Sequence, residues 1–292
     1  MRIAHLILTH SNPEHLGRLI KRLQHKNADF FIHVDLKTDI NPFLYLENLG
    51  QVYFVRPRVK VYWGGYSIVE ATLNGIDCIL QNKRYDYINL LSGQDYPLKD
   101  TYTIHKFFKD NPGKVFTEFQ SIDNEWMEAI PRIKKYFLTD TPFIGSTFLA
   151  NIISALMPAR KLPKGMVGVG RSQWFTMSTL HANNLVDYLL DYPEIQQYFK
   201  HTWGSDEFFF QTMIYNSDYQ SDMVNNNLRY IDWSEGKASP KTLTIDDADK
   251  LLRSGKLFAR KFDSKIDSKI LDYLDEQAAI AVRNRPPEEE ED

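Results

Sequence analysis

The sequence contains a single cysteine, Cys78, among its 292 residues. One cysteine cannot form an intramolecular disulfide, which excludes a disulfide-stabilised scaffold and predicts a reducing compartment. Long apolar runs are also missing, since no stretch approaches the ~18 apolar residues of a membrane-spanning helix. Residues 1–10 lack the longer apolar core and the cleavage site of a signal peptide. These absences predict a cytoplasmic protein without a transmembrane segment.

An excess of charge of one sign is absent as well. The formal net charge is -3 and the pI is about 6.3, so the overall balance indicates neither nucleic acid nor an anionic membrane as a partner. A Gly-rich phosphate loop, a Cys or His metal cluster and a Gly-x-Ser-x-Gly elbow are missing, which argues against nucleotide triphosphatases, zinc enzymes and serine hydrolases. Aromatic residues are plentiful at 13%, which suits sugar binding and, equally, a large aromatic core.

Short apolar runs alternate with helical patterns in the first third of the chain. Strands are predicted at 3–8, 30–34 and 52–55, and helices from Pro13 and over 67–80. This alternation is typical of an open, mostly parallel sheet, and we predict one α/β domain over residues 1–285. Nucleotides bind at the carboxyl ends of such strands. Leu8, Thr9 and Asp35 lie at two of these ends.

The remaining elements are less regular. Ser67 and Glu70 have the spacing of a capping box at the start of the second helix. Residues 151–156 fit a helix or a loop equally well, and 158–171 are predicted to form an irregular loop of the kind that often binds substrate. Further strands are predicted at 87–91, 115–119 and 173–177, and further helices at 101–109 and 244–253. The acidic residues 286–292 are predicted to be a solvated, disordered tail.

The segment Trp203-Gly204-Ser205-Asp206-Glu207 is the best candidate for acid–base chemistry. Ser205 is predicted to cap a helix whose first turn holds both carboxylates, and a carboxylate fixed there beside aromatic side chains has restricted solvent. Residue types alone favour the plainer interpretation of a capped helix start. The sole Asp-x-Asp sequence, Asp247-Ala248-Asp249, falls within a predicted helix, so we interpret it as a solvated helix face and not as a metal site.

Six motifs, in order along most of the chain, resemble the core-2/I-branching β-1,6-N-acetylglucosaminyltransferase and peptide O-xylosyltransferase family. They lie at residues 4–10, 32–35, 61–67, 87–99, 205–207 and 257–263. The resemblance implies an α/β fold of the GT-A type, with a Rossmann-like nucleotide half and a mixed central sheet. It also implies a UDP-sugar as co-substrate, inversion at the anomeric carbon and no metal or other cofactor. The disulfides and membrane anchor of animal members are absent, which suggests a bacterial relative.

The resemblance assigns roles to individual residues. Glu207 matches the catalytic base, which would take the proton of the acceptor hydroxyl. Lys241 and Lys261, with Arg260, match the positions that hold the donor diphosphate, where the alternative is an exposed solubility charge. The nucleotide is predicted to contact Leu8, Thr9, Asp35 and Tyr62. The donor or acceptor sugar is predicted to contact Asp95, Glu118, Trp174, Asp206, Arg132 and Lys135.

Several alternatives stay open at this point. The donor sugar is predicted to be N-acetylglucosamine, with xylose next, and the acceptor a glycan or a lipid-linked sugar reached in the cytoplasm or at the inner membrane face. Residues 119–171 depart from the pattern of animal members. A catalytically silent nucleotide- or glycan-binding protein and a metal-dependent GT-A transferase are the competing hypotheses. The sequence does not specify an oligomeric state.

Overall fold

A computed structural model describes residues 1–285 of the chain, so the predicted acidic tail at 286–292 lies outside the described residues. The strands are β1 (Ile3–Thr9), β2 (Ala28–Val34), β3 (Val52–Phe54), β4 (Tyr87–Ser92), β5 (Tyr96–Pro97), β6 (Val115–Ser121), β7 (Val169–Ser178), β8 (Met223–Asn225), β9 (Arg229–Ile231) and β10 (Phe258–Arg260). The domain boundary at residue 285 stays a prediction.

The α-helices alternate with these strands in the first part of the chain and separate them at longer intervals later. They are α1 (Pro13–Leu23), α2 (Ser67–Leu80), α3 (Thr101–Asp110), α4 (Ile130–Lys134), α5 (Ser146–Leu156), α6 (Thr179–Asp191), α7 (Pro193–Phe199), α8 (Phe209–Tyr215), α9 (Ala248–Arg253) and α10 (Lys269–Arg283). No helix within residues 1–285 is both long and apolar enough to cross a membrane.

Seven strands form the central sheet in the order β3-β2-β1-β4-β7-β6-β8. Strands β1 to β4 are mutually parallel, whereas β7 runs antiparallel to both β4 and β6. The sheet is therefore mixed. A second, three-stranded sheet has the order β5-β10-β9. Only three residues separate its strand β5 from the end of β4, so the second sheet lies next to the carboxyl edge of the parallel strands.

Helices cover both faces of the central sheet. One apolar cluster joins it to α1, α3 and α10, and the other joins it to α2, α6 and α8. This two-sided cover explains why β1 and β2 are mostly apolar, since parallel strands in such sheets are buried on both faces. All seven residues of β2 are buried.

The predicted capping box at the start of α2 needs correction. The Ser67 hydroxyl does not cap α2, because it donates to Asp140 at 2.6 Å and accepts from the Tyr62 N–H at 2.8 Å. A partner 73 residues away thus takes the place of the capping box that was predicted between Ser67 and Glu70.

The undecided segment 151–156 is helical and belongs to α5. The predicted loop at 158–171 is irregular up to β7, apart from one short turn of helix.

The start of α3 provides a test of folding energetics. Asp100 caps the helix by accepting from the Thr103 N–H at 3.1 Å and from its hydroxyl at 2.6 Å, and it pairs with Arg285. Burial opposes ionisation, but the Thr103 hydrogen bonds and the Arg285 charge together lower the pKa of Asp100.

We expect Asp100→Ala to reduce the free energy of unfolding by about 1 kcal/mol or more, because the cap is lost. Asp100→Asn keeps the cap acceptor and should lose less. Since the folded pKa of Asp100 is lowered, its charge stabilises the fold above the unfolded pKa of about 3.9. The higher free energy of unfolding of wild type relative to Asp100→Asn should disappear as pH falls below that value. Urea unfolding of the three proteins measures both effects, and equal stability of Asp100→Ala would contradict the capping role.

Candidate active site

The candidate site lies at the carboxyl edge of the parallel strands. The turn that carries the two carboxylates, Ser205–Glu207, packs onto the beginning of β7 at Gly170. A Cβ atom on Gly170 would overlap the carbonyl oxygen of Glu207 and approach the Phe208 ring to 2.7 Å. Only glycine therefore lets the carboxylate turn lie this close to the sheet.

The carboxylates do not lie in the first turn of a capped α-helix, which corrects a sequence prediction. They form a separate turn of 3-10 helix, and α8 begins only at Phe209. The reason is Gly204, whose left-handed backbone (φ 68°) and N–H bond to the Gly64 carbonyl at 2.7 Å redirect the chain. The Ser205 hydroxyl is buried without a hydrogen-bond partner and caps nothing.

Glu207 is held by a cation between aromatic rings. Its carboxylate accepts from Arg132 Nη1 at 2.7 Å, and the Arg132 guanidinium lies 4.4 Å from the Trp203 ring centre and 5.1 Å from that of Trp126. The Glu207 side chain is 34% exposed. Burial raises the pKa of Glu207, while the charges of Arg132 and Arg171 oppose that rise. The side chain is thus oriented and accessible, and its basicity is increased.

Asp206 has a different environment, because it is only 8% exposed. Burial and the neighbouring charge of Glu207 raise the pKa of Asp206 to about 7, against the opposing charges of Arg132 and Arg260. Burial therefore raises the pKa of both adjacent carboxyl groups. Coupled carboxyl groups of this kind are typical of acid–base sites.

A second charged cluster lies between the two sheets. Arg260 Nε is 3.4 Å from Asp95 Oδ1, and Arg229 Nε is 3.9 Å from Asp95 Oδ2. The Arg260 guanidinium also stacks 4.1 Å from the centre of the Trp174 ring. Burial lowers the pKa of Arg229 to about 10, although Asp95 opposes the shift. The predicted residues Asp95, Trp174 and Arg260 are therefore brought together, and Arg260 links them electrostatically to Asp206.

The two predicted diphosphate lysines lie on adjoining segments. Leu243 N donates to the Lys261 carbonyl at 2.9 Å, which ties the chain after Lys241 to the end of β10. Lys261 Nζ donates to Ser239 Oγ at 2.7 Å. Lys241 Nζ donates to Asp247 Oδ1 at 2.6 Å, and that hydrogen bond is the main cause of the raised pKa of Lys241.

The contact with Lys241 corrects the interpretation of the Asp-x-Asp sequence. Asp249 is exposed, as expected of a helix face, but Asp247 is 2% exposed. Its second oxygen accepts from the Thr244 N–H at 3.0 Å, which completes a capping box before α9. Within residues 1–285 no three His, Cys, Asp or Glu side chains are grouped as metal ligands. Metal independence stays a prediction.

The four predicted nucleotide contacts converge at the ends of β1 and β2. Leu8 and Thr9 are the last residues of β1, and the Thr9 carbonyl accepts from the Asp35 N–H at 2.9 Å. The Asp35 carboxylate accepts from the Lys37 and Val61 N–H groups at 2.9 and 3.3 Å. Lys37 Nζ lies 4.7 Å from the centre of the Tyr62 ring. Their role in nucleotide binding stays a prediction.

Two predicted sugar-binding residues have no hydrogen bond or ion pair with the carboxylate turn within the described residues. Glu118 accepts from Asn227 Nδ2 at 3.2 Å and lines a polar cavity of about 300 Å³ with Arg229 and Lys256. Lys135 is exposed just beyond α4, three residues after Arg132. The residues that sequence reasoning missed are Arg171, Arg229 and Trp126. Trp203 and Asp247 lie in sequences discussed above, but neither was assigned a role in the site.

Comparison with known proteins decides the family. The sequence model of the Core-2/I-Branching enzyme family matches residues 3–252 of this chain. The chain belongs to the core-2/I-branching enzyme family. This confirms the resemblance seen in the motifs, and with the mixed seven-stranded sheet it confirms the α/β fold of the GT-A type.

Curated relatives within the core-2/I-branching enzyme family are distant. Xylosyltransferase 2 of Mus musculus is 28% identical over 305 residues, which covers 94% of this chain and 33% of that protein. A xylosyltransferase of Ciona intestinalis is 24% identical over 298 residues, covering 94% of this chain and 34% of that protein. The chain thus spans about a third of the length of these relatives.

One solved structure is also similar, a cytidylyltransferase from Leptospira borgpetersenii. Its TM-score is 0.27 at 14% sequence identity, over 66% of this chain and 73% of that chain. So weak a similarity bears on neither fold nor function.

The raised pKa of Asp206 predicts a pH dependence of stability. The folded protein keeps the Asp206 proton that the unfolded chain releases near pH 4, so stability falls as pH rises from about 4 to about 7. Asp206→Asn lacks this proton release and should gain roughly 2–4 kcal/mol relative to wild type across that window. Urea unfolding at pH values on both sides of the window measures the difference.

The exposed Asp249→Asn variant is the matched control and should show the wild-type pH profile. Glu207→Gln should flatten the profile in part, because the Glu207 charge is one cause of the Asp206 shift. If wild type and Asp206→Asn change in parallel with pH, Asp206 titrates in its ordinary range and the assignment is wrong.

Proposed function

We propose that this chain is an inverting, metal-independent glycosyltransferase that moves a sugar from a UDP-sugar to a hydroxyl of a glycan or lipid-linked acceptor, forming a β-linkage. The observation that carries the proposal is the accessible Glu207 carboxylate, held by Arg132 beside the buried Asp206. Family membership supports the transferase class. The cytoplasmic location predicted from the sequence forms part of the proposal.

In the proposed reaction Glu207 acts as the general base. The bond from Arg132 fixes one carboxylate oxygen, which leaves the other oxygen to receive the proton of the acceptor hydroxyl. Burial raises the pKa of Glu207, which makes the carboxylate a stronger base. The activated oxygen attacks the anomeric carbon from the face opposite the departing UDP, so the configuration at that carbon inverts.

The leaving group needs positive charge, since UDP departs with about two negative charges. Lys241 and Lys261 lie on segments joined by a backbone hydrogen bond, and Arg260 precedes Lys261 at the end of β10. Asp247 raises the pKa of Lys241 and so keeps its ammonium group charged. We assign these three cations to the diphosphate, in the place that a metal ion takes in many GT-A enzymes.

Buried polar atoms near Trp174 support the binding of a polar ligand. Arg260 Nε and Asp95 Oδ1 are buried and face each other at 3.4 Å, yet neither has a hydrogen-bond partner. Buried polar groups normally have such partners. Arg260 and Asp95 lack a hydrogen bond but neutralise each other as an ion pair, and we assign the donor sugar to the edge of this cluster because the resemblance implies sugar contacts at Asp95 and Trp174.

The identity of the donor sugar follows from different observations. The resemblance stated from the motifs favours N-acetylglucosamine, whereas the curated relatives are named xylosyltransferases. We therefore propose N-acetylglucosamine or xylose as the transferred sugar. A panel of UDP-sugars with hydrolysis of the donor as readout separates the two.

The first test concerns the base. Glu207→Gln keeps an oxygen that can accept from Arg132 but cannot take a proton, so transfer should fall by about 10²–10⁴-fold while UDP binding changes little. Steady-state transfer and calorimetric titration of UDP measure the two quantities. The exposed Glu128→Gln variant on the neighbouring segment is the control.

Two results would contradict the role of Glu207. Full transfer activity in Glu207→Gln would exclude it as the base, and joint loss of activity and UDP binding would make it structural. If no protein turns over any UDP-sugar but all bind UDP, the catalytically silent binding protein is the correct alternative.

The second test concerns the leaving group. Lys261→Met removes a positive charge. The Lys261 side chain donates only to Ser239 among the contacts described, so the fold should persist. We expect kcat to fall by about 10²-fold in the presence of EDTA, by analogy with other positioned donors. Lys250→Met, an exposed lysine on α9, should retain wild-type kcat. Stimulation of the wild-type enzyme by Mn²⁺ would instead support a metal-dependent transferase.

A further inference from the structure

Helix α5 carries a row of apolar side chains on the outside of the molecule. Phe148, Ile152 and Leu156 are spaced four residues apart on one face, and they are 71%, 38% and 80% exposed. Ile144 and Phe143, just before the helix, are 104% and 52% exposed. Together with Met157, which follows the helix at 51% exposure, these residues are called the α5 surface.

The α5 surface is held in place from beneath. Ala150 is buried, and the Tyr136 N–H donates to Ser154 Oγ on the inner side of the helix at 2.9 Å. Arg160, 8% exposed, donates to the backbone carbonyls of Lys135 and His201 at 2.9 and 2.6 Å. The apolar row therefore points outward from an ordered base. Contiguous exposed apolar side chains of this extent mark an interaction surface.

The charges around the α5 surface indicate what it contacts. From residue 141 to 186 the chain contains no aspartate or glutamate, although these make up 38 of its 292 residues. Arg160 N donates to the Lys134 carbonyl at 3.0 Å, which places the lysines at the end of α4 beside those that follow α5. Lys134, Lys135, Lys161 and Lys164 are all exposed.

We propose that the α5 surface docks onto an anionic lipid bilayer. An apolar helix face bordered by lysines and free of acidic residues is the pattern by which helices lie in the membrane interface. At 11 residues α5 is about 16 Å long, so it would lie in the plane of the interface and not cross the ~30 Å hydrocarbon core. The total charge of the chain is near neutral, so it does not indicate that this segment is basic and free of acidic residues.

Docking in this manner would also limit the choice of acceptor. That inference rests on the function proposed above. Lys135 precedes the α5 segment and lies three residues after Arg132, which holds Glu207. The candidate base would therefore work close to the membrane interface. A lipid-linked acceptor, whose sugar stays near that interface, is the substrate class that fits this arrangement.

Flotation of the full chain with vesicles tests the proposal. Wild type should float with vesicles of equal parts phosphatidylcholine and phosphatidylglycerol, and much less with phosphatidylcholine alone. The double variant Ile144→Glu/Phe148→Glu should bind at least about tenfold more weakly, because each apolar side chain withdrawn from water contributes at least that factor. The control Leu180→Glu/Leu190→Glu changes two apolar residues of α6 that are 52% and 76% exposed, and it should bind like wild type.

A charge variant tests the second part of the pattern. Lys134→Glu/Lys161→Glu should weaken binding to the phosphatidylglycerol vesicles by about tenfold, while any residual binding to phosphatidylcholine stays the same. All three double variants change exposed side chains, so their thermal unfolding should match wild type. That measurement shows that a loss of flotation does not come from unfolding.

Three outcomes would overturn the proposal. They are failure of wild type to float with phosphatidylglycerol vesicles, equal weakening by the α6 control, and a dimer that Ile144→Glu/Phe148→Glu dissociates without any vesicle binding. Hydrolysis of UDP-sugar in solution should be the same in all four proteins. If it is absent from all of them, the proposed function fails, while flotation still decides the membrane contact independently.

Discussion

The arrangement of the site depends on one buried carboxylate that holds two buried guanidinium groups. Asp95 follows β4 of the central sheet, whereas Arg229 and Arg260 lie at the beginning and end of the two longer strands of the small sheet. Charges removed from water are costly unless they are paired, so the two sheets must meet where these three side chains meet. Arg229 strengthens the junction by donating to Asn89 of β4 at 2.8 Å.

From that junction the charges extend to the carboxylate turn in a continuous series. Arg260 contacts Asp95 on one side and the Trp174 ring on the other, and its charge also acts on Asp206. Burial and the charge of Glu207, which Arg132 holds, raise the pKa of Asp206. The proposed donor side and the proposed base are therefore parts of one electrostatic unit. A change of charge at Arg260 or at Glu207 is therefore expected to shift the pKa of Asp206.

The sequence predicts the fold where burial alone decides the structure. Strands β1, β2 and β4 are mostly apolar because helices cover both faces of the sheet. The polar residues Thr9 and Asp35 lie at the carboxyl ends of β1 and β2, where ligands bind in such sheets. The six motifs predict the family and the position of the two carboxylates in the sequence. Local patterns fail where a side chain finds a partner outside the pattern. Ser67 bonds to Asp140 instead of capping α2, and Asp247 pairs with Lys241.

The contacts of Asp140 have a mechanical consequence. Its carboxylate accepts from both the N–H and the hydroxyl of Ser67, whose hydroxyl also accepts from the Tyr62 N–H. The preceding Val61 N–H donates to Asp35 at the end of β2. A series of hydrogen bonds thus joins the segment that leads to α5 to the strand end at the predicted nucleotide contacts. A displacement of Asp140 must therefore either break these hydrogen bonds or move the 61–67 turn with it.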